Sequence, residues 1–285
     1  MTTSLSRRHF LQVSSAAAAG ATFFDIPSIV KAADDPFGGY PIGVQTYSLR
    51  NFNTLETIRH LQGMGLHYCE MYDKHLNLNA TPAQIDETKK LLAAADITLN
   101  AHGVSGFSKN HDANRKVFEF AKRAGIKNIT AYPEPDSFES LDKLVAEFDI
   151  RIAIHNHGPT DKFYDKIKDV ADAIKDHHPL IGACVDTGHF IRSAEDPVQA
   201  VLELSDRVFA LHLKDDTHKG DPGSHNVVLG EANLDVVGIF KALKTIDFPA
   251  DGSVSLEYEA NPDNPIDAMK QCLVVAQQAI AKAAG

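Results

Sequence analysis

This 285-residue sequence is short of cysteine, of basic clusters and of long apolar runs. Its three cysteines, Cys69, Cys184 and Cys272, each sit inside an apolar run, which indicates buried small hydrophobic side chains rather than a disulfide framework. The net charge is −10 and no basic cluster follows the first residues, so the composition argues against a nucleic-acid partner. No Gly-rich phosphate turn follows an early strand, which argues against a dinucleotide-binding sheet and against a phosphorylated substrate.

The first residues are typical of an export signal rather than of a folded domain. Residues 7–11 (RRHFL) contain paired arginines, and a weakly apolar, alanine-rich run follows over residues 13–24. That order predicts a twin-arginine signal peptide over residues 1–33, cleaved near Ala32 or Ala33, and a periplasmic or extracellular mature protein. The apolar run is too short and too rich in alanine for a transmembrane helix, so no membrane anchoring is expected after cleavage.

From residue 41 onward, an apolar run of four to eight residues followed by an amphipathic helical stretch recurs eight times. Eight such units predict an α/β fold, a (β/α)8 TIM barrel over residues 40–285, in a single domain. An open doubly wound sheet is the alternative, and the missing phosphate turn disfavours it. The predicted strands span residues 42–47, 67–72, 97–102, 128–132, 151–159, 181–186, 208–213 and 254–258. The predicted helices span residues 54–62, 113–123, 137–147, 161–175, 197–204, 234–243 and 264–282, with one more starting at Thr81-Pro82.

Four of the predicted strands end in residues of the kinds that bind metal ions, namely His155, Asp186, His212 and Glu257. Because the active sites of such barrels lie at the carboxyl ends of the strands, these side chains are expected to meet at one mouth. Burying them in an apolar core would be costly unless they are paired or bound to a metal. Two imidazoles and two carboxylates suit one divalent metal ion, Mn²⁺, Co²⁺, Zn²⁺ or Mg²⁺, with coordination positions left open for a substrate.

These four residues do not all require a metal. His155 could be a hydrogen-bonded core histidine, and Asp186 could cap the loop that follows its strand. A neighbouring acidic residue, Asp215, lies three residues after His212, so strand alternation points the two side chains to opposite faces of the seventh strand. Because Asp215 points away from the face that carries His212, a pairing or capping role is favoured for it over metal binding.

Three further polar residues near strand ends are candidate substrate contacts, namely Glu70, His102 and His157. Each also has a structural interpretation. Glu70 could pair with Lys74, and the two histidines could serve only as internal hydrogen-bond partners. In the fifth strand, alternation places His157 on the same face as His155.

Three motifs resemble those of the xylose-isomerase-like barrels, a superfamily of sugar isomerases and epimerases that also includes metal-dependent apurinic endonucleases. They are Val185-Asp186-Thr187-Gly188-His189, Leu211-His212-Leu213-Lys214-Asp215 and Leu256-Glu257-Tyr258, and residues 228–234 resemble the Gly-rich loop of the superfamily. The resemblance covers residues 40–285. It implies that Asp186, His212 and Glu257 bind the metal and that His189 contacts a substrate oxygen.

One position departs from the pattern of the superfamily. Many members place a glutamate at the end of the fifth strand, where it binds the metal and acts as the base, and this chain has His155 there. Of the two glutamates that exchange a proton in the epimerases, only Glu257 remains. Because a metal-bound imidazole is a poor proton shuttle, the departure makes lyase chemistry a serious alternative.

The resemblance implies that the cation polarises a sugar carbonyl, that Glu257 removes a proton, and that Lys214 or His189 stabilises the developing oxyanion. The expected function is a divalent-metal-dependent sugar isomerase or epimerase that acts through an enediolate on an unphosphorylated sugar or sugar derivative. The first alternative is a metal-dependent lyase or hydratase on 3-keto sugars or glycosides, and the second is a non-catalytic sugar-binding barrel. The acidic charge and the export signal argue against an endonuclease. The oligomeric state, including a homo-oligomer, stays open.

Overall fold

The computed structural model describes residues 35–285, in which eight strands form one parallel sheet that is nearly closed into a barrel. The predicted (β/α)8 TIM barrel is therefore confirmed. The strands are β1 Ile42–Val44, β2 Tyr68–Met71, β3 Thr98–Phe107, β4 Asn128–Pro133, β5 Arg151–His155, β6 Ile181–Asp186, β7 Val208–Leu213 and β8 Ser253–Leu256. The predicted twin-arginine signal, residues 1–33, lies outside the described residues.

The strand order around the barrel is β1-β8-β7-β6-β5-β4-β3-β2, and every pairing is parallel. The ring closes between β1 and β2, where an isolated parallel bridge joins Gln45 to Glu70. In the register of β6 and β7, Asp186 lies beside His212. Because all the strands run the same way, their carboxyl ends share one mouth, and the side chains at those ends can converge there.

Helices pack around the barrel, and side-chain caps set where several of them begin. Thr81 accepts a hydrogen bond from the backbone N–H of Gln84 and precedes Pro82, which confirms the predicted helix start. The helices are α1 Thr54–Gly63, α2 Pro82–Ala94, α3 His111–Ala124, α4 Phe138–Phe148, α5 Ile167–Ile174, α6 Thr187–Arg192, α7 Pro197–Leu204, α8 Val236–Thr245 and α9 Ile266–Ala284. Within residues 35–285, none of them has the length and apolar character that a bilayer span requires.

Small side chains fill the barrel layer directly beneath the mouth. Ala153 in β5, Cys184 in β6 and Ala210 in β7 are fully buried, and each lies two residues before the candidate ligand of its strand. Since side chains alternate between the two faces of a strand, these residues and the ligands point into the barrel together. Their small volume leaves room for the imidazole rings above them. Cys69 and Cys272 are likewise free and buried, as predicted.

The segment after β5 differs from the prediction. β5 ends at His155, so His157 lies in the loop that follows, and the helix expected from residue 161 begins only at Ile167. The Asp161 carboxylate accepts hydrogen bonds from the backbone N–H groups of Phe163 and Tyr164, both at 2.9 Å. Those bonds hold a turn where a helix was expected, because a short acidic side chain can compete with the helix for backbone donors.

The long loop after β7 contains structure of its own. Asp215–Asp216 pairs with Asn226–Val227 in a short antiparallel hairpin. The Asp215 carboxylate then accepts backbone N–H bonds at 2.8–3.1 Å from four residues of the following loop. These donors are Gly230, Ala232, Asn233 and Leu234. Asp215 therefore caps the loop, which agrees with the prediction from strand alternation that its side chain points away from His212.

Candidate metal centre

The four predicted metal ligands meet at the mouth of the barrel. One nitrogen or oxygen atom of each of His155, Asp186, His212 and Glu257 lies within 4.8 Å of the others. His155 Nε2 is 3.1 Å from His212 Nδ1 and 3.2 Å from Asp186 Oδ2. His212 Nδ1 is also 2.9 Å from Glu257 Oε2 and 3.7 Å from Asp186 Oδ2. All four residues are buried.

This geometry fits a divalent metal ion. Ligand atoms that lie about 2.0–2.2 Å from a common ion are spaced about 3–3.5 Å from one another. The four distances between facing atoms here run from 2.9 to 3.7 Å. In addition, Asp186 Oδ2 and Glu257 Oε2 are buried and receive no hydrogen bond of good geometry, although the charged Lys214 Nζ lies 3.0 and 2.9 Å from them. Buried polar atoms normally have a hydrogen-bond partner. A mixed set of two nitrogens and two oxygens is one that first-row divalent ions accept.

Glu70 orients His212 from the barrel interior. Glu70 Oε2 lies 2.9 Å from His212 Nε2, and the carboxylate also accepts hydrogen bonds from Gln45 at 3.0 Å, from Ser255 at 2.8 Å and from Thr130. Burial raises the pKa of Glu70, but His212 and the hydroxyl donors outweigh it, so the pKa is lowered. Burial lowers the pKa of His212, but the neighbouring Cys184 sulfur, Glu70 and the other carboxylates together hold it well above its ordinary value. Glu70 thus fixes the Nε2 atom of His212 and leaves its Nδ1 atom facing His155, Asp186 and Glu257.

Lys214 adds a buried positive charge beside these carboxylates. Its Nζ lies 3.0 Å from Asp186 Oδ2, 2.9 Å from Glu257 Oε2 and 2.5 Å from Glu259 Oε1. Burial lowers the pKa of Lys214, but the three carboxylates hold it well above its ordinary value, so the amine is charged. Burial likewise raises the pKa of Glu257, whereas Lys214 and His212 hold it below its ordinary value. Glu257 is therefore an ionised carboxylate at neutral pH.

Three imidazole rings lie together next to the four candidate metal ligands. The ring centres of His155 and His157 are 4.8 Å apart, those of His157 and His189 are 5.2 Å apart, and those of His155 and His189 are 5.4 Å apart. Arg192 Nη2 lies 2.5 Å from His189 Nδ1. Burial lowers the pKa of His157 to about 4 and holds that of His189 well below its ordinary value. Both of these imidazoles are therefore neutral at pH 7.

Two of the predicted substrate contacts lie away from the mouth. His102 Nε2 is 2.8 Å from the carbonyl oxygen of Leu76, and its ring packs against Phe120. Glu70 is fully buried beneath His212, and Lys74 does not pair with it, because Lys74 donates to the carbonyl of Arg50 instead. The predicted residues that the structure brings together at the mouth are His155, His157, Asp186, His189, His212, Lys214 and Glu257.

Several residues of the site were given no role by sequence reasoning. Arg192 lies three residues after His189 on α6, and that i,i+3 spacing is the local signal that could have found it. Glu259 lies two residues after Glu257, so strand alternation points both side chains to the same mouth. Gln45 and Thr130 carry no local signal, since their partner, Glu70, lies on a different strand.

Curated relatives and solved structures resemble this chain over different lengths. It is similar to the inosose dehydratase of Clostridium botulinum (strain Eklund 17B / Type B), 28% identical over 147 residues, which is 45% of this chain and 47% of that protein. The chain therefore spans about half the length of the curated relatives it matches.

Among solved structures, an uncharacterized protein from Parabacteroides distasonis ATCC 8503 has a TM-score of 0.66 at 27% identity, over 84% of this chain and 99% of its own. The 3-keto-D-glucoside 4-epimerase of E. coli has a TM-score of 0.67 at 18% identity, over 84% of this chain and 99% of its own. At that lower identity, the likeness to the epimerase shows the fold alone.

The match to a protein family covers most of the chain. Residues 58–274 match the family described as Xylose isomerase-like TIM barrel. This range contains all four residues of the candidate metal centre, as well as Lys214 and the three neighbouring imidazoles. The parallel barrel, the convergence of ligand-type atoms at its mouth and this match agree with one another. The chain belongs to the xylose isomerase-like TIM-barrel family.

Proposed function

We propose that this chain is a metal-dependent enzyme that isomerises or epimerises an unphosphorylated sugar or sugar derivative through an enediolate. The observation that carries the proposal is the convergence of four ligand-type atoms, a charged lysine and two neutral imidazoles at one barrel mouth. A sugar offers adjacent carbonyl and hydroxyl oxygens, which match a cation flanked by such hydrogen-bond donors. The sugar epimerase among the solved structures that share the fold supports this substrate class.

His155, Asp186, His212 and Glu257 would hold one divalent ion, for which Mn²⁺, Co²⁺, Zn²⁺ and Mg²⁺ are the candidates. When bound, the ion supplies Lewis-acid polarisation of the carbonyl and its neighbouring hydroxyl. Two nitrogens in the set favour Mn²⁺, Co²⁺ or Zn²⁺ over Mg²⁺, which prefers oxygen ligands.

Glu257 is the proposed general base. It is held ionised by Lys214 and His212, so it can accept the proton of a substrate C–H group at neutral pH. Its Oε2 faces His212 Nδ1 and Lys214 Nζ, which leaves the other oxygen to take the proton. Lys214 stays charged and cannot act as the base, so we assign it to stabilising negative charge on the substrate. His189 is assigned to the same task.

A dehydratase is the second candidate, and two observations favour it. His155 occupies the place where many family members carry the second glutamate, so one carboxylate base remains. The curated relatives are inosose dehydratases, although only about half of their length matches. In that reaction Glu257 would take the proton from the carbon next to the carbonyl. The hydroxyl group on the following carbon would leave as water after it received a proton from a neighbouring donor.

The cellular location is proposed from the sequence alone. The paired arginines and the apolar run near the amino terminus support export by the twin-arginine route to the periplasm or beyond. Sugars in those compartments would reach the enzyme without a phosphate group. A mature protein there would have no membrane anchor, and its partner would be a small-molecule sugar rather than a nucleic acid. Expression of the full chain with Arg7 and Arg8 both replaced by Lys tests this, since export by that route would stop.

Proton NMR in D₂O separates the candidate reactions. The protein loaded with Zn²⁺ or Mg²⁺ is incubated with a panel of free sugars, 3-keto sugars and their phosphorylated counterparts. Deuterium that appears on a carbon next to the carbonyl, without loss of any group, supports an isomerase or epimerase. A dehydrated product supports the second candidate. If no sugar changes but several still bind, the barrel is a binding protein and the enzymatic proposal is overturned.

A further inference from the structure

The three neighbouring imidazoles, His155, His157 and His189, have the spacing of a second metal site. Their nitrogen atoms lie within 4.8 Å of one another, as those of the four-residue centre do. His155 belongs to both groups, and its Nε2 faces the four-residue centre. The Nδ1 atoms of His155 and His157 are buried without a hydrogen-bond partner. Spacing alone therefore leaves open whether a cation or a substrate atom fills this place.

The contact with Arg192 decides between them. Arg192 Nη2 lies 2.5 Å from His189 Nδ1 and 3.5 Å from His189 Nε2, so Nδ1 is the nearer nitrogen by 1 Å. A guanidinium group only donates hydrogen bonds, so His189 Nδ1 accepts with its lone pair. A neutral imidazole has one lone pair and one N–H group, so the proton of His189 sits on Nε2. An N–H group cannot bind a cation, and the guanidinium adds positive charge at this point. His189 is thus built to donate to an oxygen atom rather than to bind a metal.

The packing around this pair holds both side chains in place. His189 and Arg192 lie three residues apart on α6, which places them on the same side of that short helix. The Asp186 carboxylate accepts the backbone N–H of His189 at 2.8 Å, which ties His189 to the metal centre. From the loop after β5, Gly158 closes over the pair. A Cβ atom at that position would lie 3.3 Å from His189 Nδ1 and 3.6 Å from Arg192 Nε.

We infer that Arg192 is the positioning residue that makes His189 an Nε2–H donor to a substrate oxygen, and that the three-imidazole group therefore holds no second cation. This inference rests on the proposed function for the identity of the oxygen, which would be the carbonyl or hydroxyl oxygen that becomes negatively charged during the reaction. Arg192 touches His189 and acts through it. The arrangement supplies a neutral donor at a fixed position, which is what stabilisation of an oxyanion requires.

Nitrogen-15 NMR of the histidine-labelled protein tests the tautomer without any substrate. In the wild-type protein we expect His189 to show a protonated Nε2 and an unprotonated Nδ1. Arg192→Met should give a mixture of tautomers, and Arg192→Lys, which keeps a donor, should restore much of the single form. Arg59→Met, at an exposed position of α1, is the matched control and should change nothing. A wild-type His189 that is protonated on Nδ1, or unaltered by Arg192→Met, would overturn the inference.

Metal counting tests the same inference by a second route. Titration of the metal-free protein with Zn²⁺ should reveal one tight site per chain, and His157→Ala should leave that count unchanged. A second tight site that disappears in His157→Ala would show that the imidazoles bind a cation, and the inference would fail. Neither the NMR measurement nor the metal count depends on turnover. Both therefore test the role of Arg192 and the number of metal sites even if no sugar substrate is found and the proposed function is abandoned.

Kinetics connect the tautomer to the reaction. Once a substrate is known, Arg192→Met should lower kcat by roughly 10- to 100-fold, the effect of one misdirected oxyanion donor, with a smaller change in KM. Arg192→Lys should recover most of that loss. A purely structural role for Arg192 would instead lower the amount of folded protein and leave kcat per folded molecule as in the wild type, which would contradict the assignment.

Discussion

Glu70 Oε2 lies 2.9 Å from His212 Nε2 inside the barrel, on the opposite side of the imidazole from the candidate metal centre. Carboxylate, imidazole and metal site are thus arranged in a row, because His212 Nδ1 faces Glu257 Oε2 at 2.9 Å on the other side. Such a carboxylate fixes the tautomer and the ring orientation of a metal-binding histidine and increases its basicity. Glu70 supports the site from beneath rather than forming part of its surface.

Removing the charge of Glu70 should weaken metal binding. We expect Glu70→Gln to lower the affinity for Zn²⁺ by about 10- to 100-fold, because the amide keeps the volume but loses the attraction for the His212 N–H group. Isothermal titration of the metal-free proteins measures this. Ser255→Ala, which removes one hydrogen bond to Glu70 and keeps its charge, is the matched control and should have a smaller effect. An unchanged affinity in Glu70→Gln would mean that His212 does not bind the metal.

Metal binding should release a proton from His212. The raised pKa of this imidazole means that the metal-free protein carries a proton on both ring nitrogens at pH 7. A metal ion must displace the proton from Nδ1, so about one proton should leave per ion bound, and the affinity should rise with pH. Calorimetry in two buffers with different heats of ionisation counts the protons. If no proton is released, either His212 is neutral in the metal-free protein or it lies outside the coordination sphere.

Glu257→Gln should abolish turnover while the fold persists. The amide oxygen can still occupy the position of the carboxylate, but it cannot accept a proton, so we expect kcat to fall by about 100-fold or more. Glu259→Gln is the control, because Glu259 also contacts Lys214 but follows Glu257 by two residues at the half-buried edge. Its effect should be several-fold smaller. Activity is measured by deuterium incorporation, and near-normal exchange in Glu257→Gln would exclude this residue as the base.

The sequence predicted the barrel and the convergence of its strand-end polar residues well, because both depend on local patterns. The bounds of β6 and of α7 agree with the prediction, as do the four strand-end residues that converge at the mouth. Strand periodicity and the carboxyl-end rule for barrels are enough to place such residues. The prediction was less successful after β5, where hydrogen bonds from Asp161 to the following backbone replaced a helical turn.

The roles of Glu70 and Arg192 could not be read from the sequence for a different reason. Glu70 and His212 are 142 residues apart in the chain and meet only across the closed barrel. Strand alternation predicts that Glu70 points inward, but not whether it lies at the mouth or beneath it. Arg192 is near His189 in sequence, yet its direction depends on a helix, α6, that was expected to be a loop. Sequence patterns therefore predict least about two features, the side-chain pairs that form across a barrel and the short helices that begin at a side-chain cap.

Asp215 should be essential for the loop that follows β7. Its carboxylate accepts hydrogen bonds from four backbone N–H groups. In Asp215→Asn, an amide NH₂ group replaces one of the two accepting oxygens, so the N–H groups bound to that oxygen lose their acceptor. We expect the free energy of unfolding to fall by about 2–4 kcal/mol, because buried donors lose their acceptor. Urea denaturation of the metal-free protein measures this. Asp221→Asn, at an exposed carboxylate that accepts one backbone bond, from Gly223, should cost much less.

Asp216 should make the stability of the protein depend on pH. Burial raises the pKa of this carboxyl group to about 6, although the positive charge of Arg192 partly opposes the rise. The folded protein thus holds the proton more tightly than the unfolded chain, whose carboxyl group has its ordinary pKa of about 3.9. Below about pH 4 the group is protonated in both states and contributes nothing. As the pH rises from about 4 to 7, the folded state loses stability, because it must accommodate a buried negative charge.

Replacing this carboxylate by an amide should remove that dependence. We expect Asp216→Asn to raise the free energy of unfolding by about 2 kcal/mol at pH 7.5 and to leave it nearly unchanged at pH 4. Urea denaturation of both proteins across this range gives the difference directly. Glu203→Gln, at an exposed position of α7, should show no such trend. A difference between Asp216→Asn and wild type that stays constant with pH would mean that Asp216 ionises alike in both states. The burial of its side chain would then carry no electrostatic cost.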